Sequence, residues 1–80
     1  MVKHHYSIHA VMEIKILVEY LIEHGAVINK ENKNGRTLLF EAILREYKDL
    51  VEYLVERGAD LNKENWFSQT PLLYVYYGGN

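Results

Sequence analysis

The stretch from Lys48 to Arg57 places Leu50, Val51, Leu54 and Val55 at i, i+1, i+4 and i+5. At helical pitch these four share one face, with Glu52 and Glu56 on the other, so the segment reads as an amphipathic helix. Lys48 and Glu52 stand one turn apart, where opposite charges can meet. Gly58 follows the last periodic residue, at the place where a left-handed residue ends a helix with least steric cost. Leu17, Val18, Leu21, Ile22 and Gly25 write the same scheme earlier in the chain. Between the two, Asn32-Lys33-Asn34-Gly35 reads as a turn, because asparagine and glycine both tolerate positive φ. Thr37 then caps a short helix from Leu38 to about Arg45, and Thr70-Pro71 opens a last one over Leu72 to Tyr77.

These elements recur with a fixed period. Shifted by 33 positions, Leu17-Val18-Glu19-Tyr20-Leu21 falls on Leu50-Val51-Glu52-Tyr53-Leu54, and Asn29-Lys30-Glu31-Asn32 on Asn62-Lys63-Glu64-Asn65. From Leu17 to Thr37, thirteen of twenty-one positions are identical to their mates, where chance would give about one. The unit is helix, helix, protruding turn. Such a unit cannot bury its apolar face alone, so the pattern predicts a stack in which neighbours cover one another.

The unit resembles an ankyrin repeat. The likeness lies in Asn32-x-x-Gly35-x-Thr37-x-Leu39-x-x-Ala42, then Leu50-Val51-x-x-Leu54-Val55-x-x-Gly58-Ala59-Asp60-Leu61-Asn62. A second copy begins at Asn65 with Thr70-Pro71-Leu72, and 33 residues is the family's own period. The resemblance runs from about Ala10 onward. It implies an all-α repeat fold, a solenoid of stacked antiparallel helix pairs with projecting β-hairpin-like loops. It divides a single domain, 1–80, into a partial unit 1–31, a whole unit 32–64 and a partial unit 65–80. Leu38 stands where the family has proline, and Phe40 and Leu73 where it has histidine, so a buried Thr–His hydrogen bond is not expected. Glu46-Tyr47 replaces the glycine and small residue of the inter-helix turn, and Ser68 replaces the turn glycine seen at Gly35. The first helix of the first unit, roughly His5 to Met12, matches the pattern poorly. At the other end Gly79-Asn80 aligns with an inter-helix turn, so the helix Leu72–Tyr77 is expected to present an apolar end.

Composition narrows the reading. Hydrophobic residues make up 49% and charged residues 25%, as in globular chains rather than disordered ones. The absence of cysteine removes disulfides and thiolate metal sites. A net charge of −2 with interspersed signs gives no track for a phosphate backbone, so nucleic acid is not an expected partner. No apolar run approaches the ~20 residues that span a bilayer, and Met1 to Tyr6 lacks the apolar core of a signal peptide. The expectation is a chain with no membrane partner and a cytoplasmic address.

Catalytic chemistry finds little support. His5 and His9 at i, i+4, with His4 nearby and Glu13 as a third donor, are the only metal-like spacing, and the HExxH pattern is missing. Gly78-Gly79 lacks the lysine of a phosphate loop, and Ser7 and Ser68 lack a nucleophile-elbow context. Glu19 with Glu23, and Glu52 with Glu56, recur at the period as solvated helix faces do. The chain is therefore expected to be no enzyme and to need no cofactor or metal.

Binding is the better-supported role. Trp66-Phe67 occupies the turn tip where the preceding unit has Lys33-Asn34. Two aromatics there make either a packing contact with the neighbouring loop or a hot spot for a partner, and their exposed placement favours the second. The resemblance implies that recognition uses the loop tips and the exposed side of the first helices. By position these are Lys33, Asn34, Arg36, Glu41, Leu44 and Arg45, then Trp66, Phe67, Gln69, Tyr74 and Tyr77. The partner expected is another protein. The competing reading is a structural segment of a longer array, or a chain that self-associates through its exposed C-terminal helix.

Overall fold

The computed structural model of the protein describes residues 7–76. Four helices follow one another: α1 (Ile8–Glu23), α2 (Leu38–Leu44), α3 (Lys48–Glu56) and α4 (Pro71–Tyr76). No strand forms among the described residues. The architecture is the expected all-α repeat.

The pair α2–α3 holds the core. Leu39 and Ala42 from α2 meet Leu50 and Leu54 from α3, with Tyr47 and Ala59 closing the ends of the cluster. Leu54 is wholly buried. Val11, Ile14, Val18 and Ile22 of α1 pack against this cluster from one side. On the other side α4 lies against α2, with the Tyr74 ring 5.3 Å from that of Phe40.

Three helices end in one and the same way. Gly25 N–H donates to the Ile22 carbonyl and Ala26 N–H to that of Leu21, while Gly58 and Ala59 repeat this with Val55 and Leu54. This is the paired closure in which a left-handed residue turns the chain and an apolar one follows. After α2 the turning residue is Glu46, with φ of 60°, and Tyr47 N–H reaches back to Ala42. The inter-helix turn that lacks its glycine is thus built in the same geometry, under strain, and Tyr47 fills the core position that follows. Glu46→Gly removes that strain. It is expected to raise the unfolding free energy by about 1 kcal/mol, the left-handed penalty of an L-residue less the flexibility that glycine adds to the unfolded chain. Chemical denaturation measures this, and no gain, or a loss, would contradict it.

The N-terminal unit departs from the period. In place of a short first helix over His5–Met12 and a second from Leu17, α1 runs unbroken from Ile8 to Glu23. Its start is set by Ser7, whose hydroxyl accepts from Ala10 N–H at 3.0 Å. The linking residues Glu13-Ile14-Lys15-Ile16 contain no glycine, proline or asparagine to stop a helix, and Lys15 pairs with Glu19 one turn on. Leu17 and Leu21, which mirror the buried Leu50 and Leu54, are consequently 61% and 56% exposed. No antiparallel first helix covers them among the described residues.

Neighbouring units are also tied by polar contacts. Glu23 accepts from Tyr53 Oη at 3.3 Å and pairs with Arg57 at 3.2 Å. Asn29 Oδ1 accepts from Asp60 N–H at 2.8 Å, and Glu31 pairs with Lys63. The repeating Tyr53 therefore does cover the helix flank, held between Lys15 and Arg57.

Candidate interaction surface

Each protruding loop is built around one asparagine. Asn32 Oδ1 accepts from Asn34 N–H (2.8 Å) and Arg36 N–H (3.0 Å), and Asn32 N–H donates to the Arg36 carbonyl. Asn65 does the same with Phe67 (2.8 Å), Gln69 (3.0 Å) and the Gln69 carbonyl. Side chains of Asn and Asp make this local turn because their oxygen reaches backbone donors two residues on. Gly35 takes the left-handed position with φ of 76°, and Ser68 takes it at 59° despite its Cβ. The threonines then cap the following helices, Thr37 accepting from Phe40 N–H and Thr70 from Leu73 N–H. Each tip is in this way fixed to the helix that follows it.

The two tips differ in chemistry. Lys33 and Asn34 are exposed and polar. Trp66 and Phe67 are 70% and 71% exposed. Trp66 also answers to its neighbour: a Cβ on Gly35 would lie 2.2 Å from Trp66 Cδ1, so one edge of the indole rests on the backbone of the preceding tip. It packs on the adjacent loop and still presents most of its surface.

The other expected contact residues divide into two groups. Arg36, Glu41 and Arg45 form one network with Asn32. Glu41 accepts from Asn32 Nδ2 at 2.8 Å, pairs with Arg45, and lies 3.9 Å from Arg36. Partial burial opposes charge on Glu41, but the hydrogen bonds from Arg45 and Asn32 and the charges of Arg45 and Arg36 outweigh it, holding its carboxyl below the usual carboxylate range. Arg36 lies across the Phe40 ring at 5.6 Å, and its Nε is buried with no hydrogen-bond partner among the described residues. These side chains order α2 and its loop as well as facing outward. Gln69 receives a bond from Asn65 Nδ2 at 3.0 Å, Leu44 is half-buried, and Tyr74 leans on Phe40. Tyr77 lies outside the described residues, as do His4 and His5; His9 is exposed near the start of α1. Among the described residues no three His, Asp or Glu side chains gather as metal ligands, and no helix is long and apolar enough to cross a membrane.

One feature was not expected from the repeat pattern. A half-open apolar cavity of about 170 Å³ lies between α1 and α2, lined by Ile14, Leu38, Glu41, Ala42, Arg45, Tyr47 and Leu50. It exists because α1 runs straight past α2 without folding back over it. Continuous helix formers from Glu13 to Ile16 were its only hint.

A family model described as ankyrin repeats (3 copies) matches residues 4–65. No curated protein matches the chain. Ankyrin repeats are generally protein–protein interaction modules without enzymatic activity. The match spans 62 of the 80 residues, 4 through 65 inclusive, and the helix pair, both glycine closures and the first asparagine turn lie within it: the chain belongs to the ankyrin repeat family.

Proposed function

We propose that the chain binds a protein partner through its second loop tip and the outward sides of α2 and α4. The observation that carries this reading is the placement of Trp66 and Phe67. Both are largely exposed, yet their backbone is fixed by Asn65 and one edge of Trp66 is braced by Gly35. Exposed aromatics held on a fixed backbone bind with little ordering cost, and such side chains dominate interface energetics. Lys33 and Asn34 at the first tip, and Arg36, Glu41, Leu44, Arg45, Gln69 and Tyr74 behind the tips, supply the polar rim and the flanking surface. The mechanism is equilibrium association with a largely preformed surface; no bond is made or broken.

The test compares baits. Wild-type chain and a Trp66→Ala/Phe67→Ala variant are immobilised at equal density, and the retained proteins are quantified. Each lost hot spot costs at least about 2 kcal/mol, so a true partner falls roughly 30-fold or more on the variant. Melting of the two baits is measured alongside. The exposed side chains predict a melt shift small enough to leave the variant folded. A partner held equally by both baits would remove the tip from the interface.

A further inference from the structure

The two outer faces of the stack are each exposed and lie one period to either side of the α2–α3 pair. In the middle unit, Leu39 and Ala42 on α2 are covered by Leu50 and Leu54 on α3. One period earlier, α1 carries the same leucines, Leu17 and Leu21, and both are exposed. One period later, α4 carries Leu72 and Val75 in place of Leu39 and Ala42, and these are exposed too. The first face offers the second helix of a pair and the last face offers the first helix. We propose that two copies of this chain associate head to tail, α4 of one against the Leu17–Leu21 face of α1 of the next, rebuilding the α2–α3 pair across the interface.

The polar contacts between units support the same register. Glu31 pairs with Lys63 within the chain. Moved on by one period, the pair becomes Glu64 of one copy and Lys30 of the next, and neither is in an ion pair among the described residues. The bond from Asp60 N–H to Asn29 becomes Val27 N–H to Asn62. Glu23, which meets Arg57 and Tyr53, becomes Glu56 facing His24 and Tyr20. The Glu64–Lys30 and Asn62–Val27 contacts find the chemistry they need, and Tyr20 offers Glu56 the hydroxyl that Tyr53 offers Glu23. The open cavity beside α2 lies where α4 of the preceding copy would run, since α4 already flanks the opposite side of α2 within the chain. Such an interface is heterologous, so assembly continues to longer species or closes as a ring. It shares α4 with the proposed partner surface, through Leu72 and Val75, but uses neither Trp66 nor Phe67.

Sedimentation velocity over a concentration series tests this with two variants of the full chain. Leu17→Glu/Leu21→Glu removes one face and Leu72→Glu/Val75→Glu the other. Wild type should grow in mass with concentration beyond a dimer. Each variant alone should remain monomeric, its dissociation constant raised at least about 100-fold by charges set in an apolar contact. An equimolar mixture should form a 1:1 heterodimer and stop, because one intact face of each kind remains. Charge reversal covers the case in which a variant fails to fold. Lys30→Glu or Glu64→Lys should each weaken association roughly threefold or more, and both in one chain should restore it. A monomeric wild type at millimolar concentration, a one-face variant that dimerises as strongly as wild type, or a charge reversal without effect would overturn the proposal.

Discussion

Replacing Leu54 with alanine should cost about 3–5 kcal/mol of folding stability, while Leu21→Ala, the same change at the equivalent position 33 residues earlier, should cost under about 0.5 kcal/mol. The side chain is the same, and so is its place on the helix and the Leu-Val-Glu-Tyr-Leu run around it. What differs is the cover. Leu54 is wholly enclosed by α2, Tyr47 and Ala59, whereas Leu21 is 56% exposed. Truncating Leu54 leaves a void that its neighbours only partly fill, and both the lost transfer energy and the void count against folding. A domain of this size has roughly 4–12 kcal/mol in hand, so Leu54→Ala should populate unfolded chain near the melting range of the parent. Urea denaturation of both variants, run dilute enough to keep the chain monomeric, measures the difference. Equal losses at the two sites would mean that α1 is covered on its Leu17–Leu21 face after all, and the unpaired N-terminal unit described above would be wrong.

Gly35→Ala should be the most damaging change at the surface. The backbone there has φ of 76°, which costs an alanine about 1–2 kcal/mol by itself. The added methyl would also lie 2.2 Å from Trp66 Cδ1, so the indole must leave its seat. The combined loss is expected to reach about 2–3 kcal/mol, large for a loop position. Because Trp66 is the only tryptophan, its fluorescence reports the displacement directly. A double-mutant cycle separates the two causes. In a Trp66→Ala background the clash is gone, and Gly35→Ala should then cost only the backbone share. Strictly additive effects would show that the two loop tips do not touch.

Much of this arrangement is written locally, and for a physical reason. A glycine after the last apolar residue, an asparagine whose side chain reaches two residues on, and a threonine before a helix act within five residues of chain. Leu50 and Leu54 needed only the 3.6-residue period to be placed on the apolar face of a helix. Thr37, Gly58 and Asn65 are where the sequence pattern puts them, doing what it implies. Glu46 shows the limit of such local reading. Nothing in Arg45-Glu46-Tyr47 favours a left-handed turn; it is imposed because Tyr47 gains a core position and the antiparallel pair α2–α3 gains its closure. The strain is local and the compensation is not.

The amino-acid order by itself determined the repeat, its period, the two glycine-closed helix ends, the paired asparagine turns and the apolar character of the last helix. These depend on torsional preferences and on contacts a few residues apart. Only the tertiary structure decided which of two identical leucine pairs is covered, whether Trp66 rests on a neighbour, and that α1 runs on as one helix beside an open cavity. Burial is a property of what stands opposite a side chain, and identical residues with different neighbours have different energies.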